Sequence, residues 1–283
     1  VSAIPVGGSV TGANGAGGLF GYYGNVTAGN TFDIKAYNNE TSVYGQYCGG
    51  LFGVLENKMV SSAANTLTIT DTTSSGHATL NVTSGSGDVY DETGYFGGLV
   101  GRYTTDSLTN SIELRSLEYS VTSNDSFNAF GGAIGFIDTA AYIKADGVNI
   151  TAGGTDKRSS VNTSLTEYTY FGGLVGVTSA SYGDFIDLGD FTLSLASTDT
   201  NGFNGGGVVG RFYNGVLRFS GITDMSSAKP AGAFATTNAE GLRYSCYGQL
   251  IGYNNNVLAY ALGNGADGTA YGSGWTFKRS SGA

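Results

Sequence analysis

The chain has 283 residues, 22 acidic against 13 basic, a formal net charge of −9, 48 glycines and only two prolines. That balance repels polyanions such as nucleic acid as well as anionic membrane surfaces, with no Lys or Arg cluster to offset it, and the scarcity of proline excludes collagen. A hydrophobic content of 40%, with 19 tyrosines and 15 phenylalanines, separates the sequence from a Gly/Ser linker and predicts a buried core.

The chain opens Val1-Ser-Ala-Ile-Pro5 without methionine, the start expected of a mature product or an excised fragment. It carries no signal peptide and no apolar run of the ~20 residues that a membrane-crossing helix needs. Residues 1–16 read as a lead-in. From there a short pattern recurs: GGLFG at Gly17, GGLFG at Gly49, GGLVG at Gly97, GGAIG at Gly131, GGLVG at Gly172, GGVVG at Gly206 and GQLIG at Gly248. Short and long spacings alternate, so the true period spans two motifs and about 75–80 residues, the mark of a solenoid or array. No proline-rich linker interrupts residues 17–252, and 253–283 complete the last unit, so one repetitive domain is expected.

Between motifs the signal is for strands. Thr66–Thr70, Ala78–Thr83, Ser111–Leu117 and Phe191–Leu195 alternate polar and apolar residues rich in β-branched types. Glycine-rich clusters at Gly15–Gly18, Thr83–Asp88, Thr151–Asp156 and Gly263–Gly268 carry turn chemistry and lack the Lys-Ser/Thr of a phosphate loop. No long stretch keeps a helical period. The fold class predicted is all-β, as stacked β-arches or a β-solenoid. Tyr95–Gly101 and Tyr170–Gly176 both read YFGGLVG, and on a single strand Phe96, Gly98, Val100 and Arg102 would face one side, with Gly97, Leu99 and Gly101 on the other. Glycines in a strand point to close approach of another backbone, and aromatics at Phe96, Phe130, Phe171 and Tyr247 would form a ladder between stacked units.

The GGLVG core resembles the GLUG-type glycine-rich repeats of microbial cell-surface proteins, through seven copies that cover most of the chain, with Gln249 departing from the pattern in the last. In its glycine-rich, acidic character the chain is also similar to the amyloid-like major sheath protein of sheathed methanogenic archaea. Both resemblances imply an extracellular β-repeat region on the cell surface, not an activity.

Chemistry is sparse. The lone histidine, His77, lies in a Ser/Gly-rich stretch and reads as a surface loop residue, so Ser-His-Asp, Cys-His and multi-histidine zinc sites have nothing to build on. Asp184, Asp187 and Asp190, spaced by three, have the look of a calcium loop without its pattern, and solvated turn carboxylates are the expectation. Asp91 with Glu92 and Glu113 with Glu118 are the best carboxylate pairs for polysaccharide cleavage, and neither is supported by an organised cluster. No catalytic residue, cofactor or metal is expected. Six N-x-S/T sequons, at Asn25, Asn39, Asn81, Asn124, Asn149 and Asn162, are candidate glycosylation sites in a secreted chain. Cys48 and Cys246 occupy similar places five motifs apart. At ~4.8 Å per stacked strand they lie beyond reach of an internal disulfide in a straight stack, so an internal bond requires the stack to curl, and the alternatives are a link between molecules or two unlinked thiols. The predicted role is a structural extracellular protein that self-assembles through β-strand edges into a sheath, tube, filament or surface layer. Its partners are then copies of itself, with other envelope components or glycans beside them. The alternatives are an adhesin or carbohydrate-binding module displaying Tyr22, Tyr23 and Tyr103, or a polysaccharide-active β-helix enzyme.

Overall fold

A computed structural model describes residues 6–24, 29–34, 38–58, 64–72, 79–80, 83–84, 94–123, 128–154, 169–195, 203–220, 223–227, 247–248 and 250–261. Within them the protein is all-β: twenty-five strands, no helix, and every strand pair parallel. Strands joined by short bends that pair in parallel with the next pass of the chain define a β-solenoid-like class.

Seven short strands, Gly15–Gly17, Tyr47–Gly49, Tyr95–Gly97, Ala129–Gly131, Thr169–Gly172, Phe203–Gly206 and Tyr247–Gly248, form one sheet in sequence order. Their last glycines pair in register from Gly17 through Gly49, Gly97, Gly131, Gly172 and Gly206 to Gly248. After a two-residue bend each chain pass continues as a second strand: Phe20–Gly24, Phe52–Asn57, Val100–Thr105, Ile134–Ile137, Val175–Thr178, Val209–Phe219 or Ile251–Ala261. Third segments, among them Thr66–Thr70, Ser111–Ser123, Tyr142–Gly154, Asp184–Leu188 and Phe191–Leu195, pair in the same order. Val209–Phe219 pairs with both second and third strands, so the large sheet curls through fourteen strands. A smaller sheet pairs Asn38–Tyr44 with Val6–Thr11 and with the short strands Thr79–Leu80 and Thr83–Ser84. Each motif with the strands after it is called a tier below.

The period of two motifs expected from the spacing is not the stacking unit, since the strands of successive motifs pair one to the next; three further sequence expectations need correction. The YFGGLVG heptad is not one strand: Gly98 and Leu99 form a bend between Tyr95–Gly97 and Val100–Thr105. Phe96, Leu99 and Val100 therefore all enter the same core, where strict alternation would have separated Leu99 from the other two. Gly15–Gly17 and Thr151–Gly154, expected as turns, are strand. Each lies beside a neighbouring strand that fixes its backbone, Tyr47–Gly49 for the first and Ser120–Ser123 for the second, and such pairing overrides local turn preference. The strands expected at Thr66–Thr70, Ser111–Leu117 and Phe191–Leu195 are present.

The bends stay hydrogen-bonded. Leu19 N donates to Leu51 O, Leu51 N to Leu99 O, Leu99 N to Ala133 O, Ala133 N to Leu174 O, Leu174 N to Val208 O and Val208 N to Leu250 O, at 2.9–3.0 Å throughout. Each of those carbonyls also accepts from the residue after the donor, as Val100 N donates to Ala133 O at 2.9 Å. Such a ladder needs the tiers at strand spacing around a tight turn, and that is the work of the glycines. A Cβ on Gly97 would lie 1.9 Å from Val100 O and 2.6 Å from Gly135 N, and one on Gly98 would lie 2.1 Å from Gly132 O. No side chain fits there without moving backbone.

The core is columnar. Phe96, Phe130 and Phe171 stack at 5.2 and 4.8 Å between ring centres, in the column that also holds Ala16, Cys48, Gly205 and Tyr247. The aromatic ladder is thus broken at Gly205 before it reaches Tyr247. On the large sheet Glu113, Lys144, Asp187 and Arg218 follow one another in register with alternating sign. Opposite charges on adjacent strands favour this pairing, and a one-position slip removes the match.

Candidate assembly interface

The end tiers differ from the inner ones in a single, consistent way. Leu51, Leu99, Ala133, Leu174 and Val208 at the bends are wholly buried, as are Phe52, Val100, Ile134, Val175 and Val209 beside them. The residues in the same columns at either end, Leu19 and Phe20 in the first tier and Leu250 and Ile251 in the seventh, are only partly buried against the core. Among the described residues, inner members are covered from both sides by neighbouring tiers and end members from one.

The backbone at the ends is complementary. Because every bend N–H in this ladder points to the following tier, the ladder among the described residues begins at the Leu19 carbonyl in the first tier and ends at the Leu250 and Ile251 N–H groups in the seventh. Among the described residues, Gly15–Gly17 and Phe20–Gly24 pair on one side only, as do Tyr247–Gly248 and Ile251–Ala261. Parallel edges of this kind are templates for a further strand. Bend donors at one end and bend acceptors at the other make the two edges unlike surfaces; contacts between unlike surfaces are heterologous and form open chains or, where the rotation closes, rings.

The two ends are dressed differently. In the first tier Phe20, Tyr23 and Phe32 pack with Phe52 at ring separations of 5.1–6.4 Å, and Tyr22 is 58% exposed. In the seventh, Asn254 follows the buried Phe212 in register and is exposed with Asn255 and Asn256. Asn256 Nδ2 donates to Asn214 Oδ1 at 3.4 Å, and Asn214 Nδ2 donates to Ala180 O at 2.8 Å, so the asparagine steps run from the edge into the stack. On the flank, Arg211 lies over Tyr170, Tyr213 and Tyr253 at 4.9, 4.0 and 5.1 Å and donates to Tyr170 Oη at 2.8 Å. Arg102 lies over Tyr47 and pairs with Asp138 of the next tier.

The residues singled out in the sequence fall as follows. The seven motif glycines share one column. Cys48 is buried in the column beside it, with Sγ 3.2 Å from Gly45 O, so a link from it to another molecule requires its tier to open; Cys246 is outside the described residues. Of the sequons, Asn25, Asn81, Asn124 and Asn162 are also outside; Asn39 lies in the strand Asn38–Tyr44, and Asn149, half-buried, lines an open concavity with Asp71, Ser116, Glu118 and Gly147. His77, Asp91 and Glu92 are outside. Glu113 and Glu118 share the strand Ser111–Ser123, where Glu113 pairs with Arg115 and Glu118 faces the concavity. Tyr103, expected on the surface, is fully buried, its hydroxyl accepting from Asn57 Nδ2 at 3.1 Å.

Asp184 and Asp187 are not solvated turn carboxylates. Both lie in the strand Asp184–Leu188 and are 2% exposed. Asp187 pairs with Arg218 at 2.5 Å and accepts from Ser220 Oγ at 2.8 Å, which explains its burial. Local sequence spacing carried no sign of either partner, since each sits more than thirty residues away. No group of three or more His, Cys, Asp or Glu among the described residues is arranged to hold a metal ion, and no helix is long and apolar enough to cross a membrane. No family model, curated protein or solved structure matches the chain.

Proposed function

We propose that this chain is a structural protein of the cell exterior that polymerises head to tail through its strand edges into a sheath, tube, filament or surface layer, each tier being one copy of a repeat marked by its glycine motif. The observation that carries the reading is the pair of columns, Leu19 to Leu250 and Phe20 to Ile251, buried at every inner tier and half-covered at both ends. A second copy is the occupant that fits: its first tier offers the Leu19 carbonyl to the Leu250 and Ile251 N–H groups and continues both columns. The GLUG-like motif and the acidic composition agree with an envelope location. Self-pairing of parallel edges gives cross-β-like resistance to heat and protease.

Negative-stain microscopy of the full chain over a range of concentrations tests the reading. Tubes, filaments or sheets are expected; dispersed particles at every concentration, with the chain folded by circular dichroism, would overturn it.

A further inference from the structure

One corner of the stack repeats a polar device. Asn65, Asn110 and Ala141 stand immediately before a third strand in tiers two to four, Asp184 takes the equivalent place as the first residue of the third strand in tier five, and these strands are paired tier to tier. Where the side chain allows, its Oδ1 accepts the main-chain N–H of the tier before: Asn65 from Gly29 at 3.2 Å, Asn110 from Asn65 at 2.9 Å and Asp184 from Ala141 at 2.9 Å. An amide suits the position because its other end donates. Asn110 Nδ2 lies 3.0 Å from Asn57 O, 3.2 Å from Thr105 Oγ1 and 2.9 Å from Asp106 Oδ1.

Asp184 departs from this pattern. Its Oδ2 is buried and makes no well-formed hydrogen bond, the Thr178 hydroxyl being the polar side chain beside the carboxyl, and no ion pair reaches it among the described residues. The charged and titratable groups on the strands around it are Asp187 on its own strand, Tyr142, Lys144 and Asp146 on Tyr142–Gly154, and Arg211, Tyr213 and Arg218 on Val209–Phe219; Val175–Thr178 contributes none. Arg218 is held by Asp187, and Arg211 lies among three tyrosine rings. A carboxylate here would be a buried charge lacking a counter-ion, which is costly.

We propose that Asp184 is a neutral carboxylic acid in the folded stack, taking the place an amide holds at Asn65 and Asn110, and that its ionisation loosens the junction between the fourth and fifth tiers. Burial pushes the carboxyl up to about 8, opposed by the Ala141 N–H and the Thr178 hydroxyl. The folded chain therefore keeps a proton that the unfolded chain releases near pH 4. Stability from this group is complete below that value, falls as pH rises toward 8, and levels off once the folded acid ionises.

Three measurements on the full chain test the proposal. Infrared difference spectra of protein labelled with 13C-aspartate should show a protonated carboxyl band at pH 6 that disappears around pH 8 in wild type and is absent in Asp184→Asn. Hydrogen exchange at Ala141, corrected for intrinsic base catalysis, should accelerate about tenfold per pH unit between pH 4 and 8 and level off above the acid's titration, and should stay flat across that range in Asp184→Asn. The melting temperature of Asp184→Asn should equal or exceed wild type at pH 8 and lack the decline between pH 4 and 8. A wild-type spectrum without the protonated band, or an Asp184→Asn variant that keeps the wild-type decline, overturns the assignment. If the variant does not fold, the wild-type spectrum alone decides.

Discussion

Gly21 and Gly101 are both the fifth residue of a motif, one in the first tier and one in the third, yet their surroundings differ. A Cβ on Gly101 would lie 2.5 Å from Cys48 N and 2.6 Å from Gly53 O in the tier before it; on Gly21 the sole close atom is Gly15 O, at 3.2 Å. Gly53, Gly135, Gly176 and Gly210 resemble Gly101. The fifth glycine thus exists to let the preceding tier approach, and the first tier keeps that glycine with no described tier before it. The same asymmetry appears in the bend columns, where inner members are sealed and end members are half-covered. In this fold an end looks like an interior position that has lost one neighbour.

The largest effect should come from filling an inner contact. Gly98→Val or Gly173→Val places a side chain within 2.2 Å of a backbone oxygen, Gly132 O or Gly207 O, and should cost more than about 4 kcal/mol and abolish cooperative melting. Native-like melting curves from both would mean that the glycines are merely permissive. Next, Phe130→Ala, in the middle of the stacked ladder, should lose about 3–5 kcal/mol in urea titration. Phe20→Ala, half-covered at the edge, should lose about 1–2; equal losses would erase the distinction between inner and end tiers.

Two further changes separate folding from assembly. Lys144→Glu sets three like charges in a row with Glu113 and Asp187 in register, with an expected loss of about 1 kcal/mol that shrinks in high salt. Gly21→Val should be the mildest for the isolated chain, within about 1 kcal/mol of wild type, while preventing polymers, because the incoming seventh tier must approach Gly21 as the second approaches Gly101. Polymers of normal yield from Gly21→Val, seen by microscopy, would show that growth does not use this edge.

The sequence by itself determined the class of fold but not its unit, because the alternating spacing pointed to a period of two motifs where each motif supplies a strand of its own to the seven-strand sheet. Seven glycine motifs, alternating strand stretches and the lack of helical periodicity are local signals, and the seven-strand sheet follows them one strand per motif. It also located the aromatic column, because Phe96, Phe130 and Phe171 precede equivalent glycines. What sequence could not decide was anything requiring a neighbour from another tier. The bend at Gly98 and Leu99, the strand at Thr151–Gly154, the break in the ladder at Gly205 and the burial of Tyr103 all depend on which residue lies one tier away, thirty or more positions along the chain. Asp184 and Asp187 show the point most sharply: two aspartates three residues apart, alike in sequence, one held by Arg218 and the other left beside Ala141 as an acid. Periodicity fixes which face of a strand is turned inward, but the energy of a buried polar group is set by its hydrogen-bond partners, and in a parallel stack those partners come from other tiers.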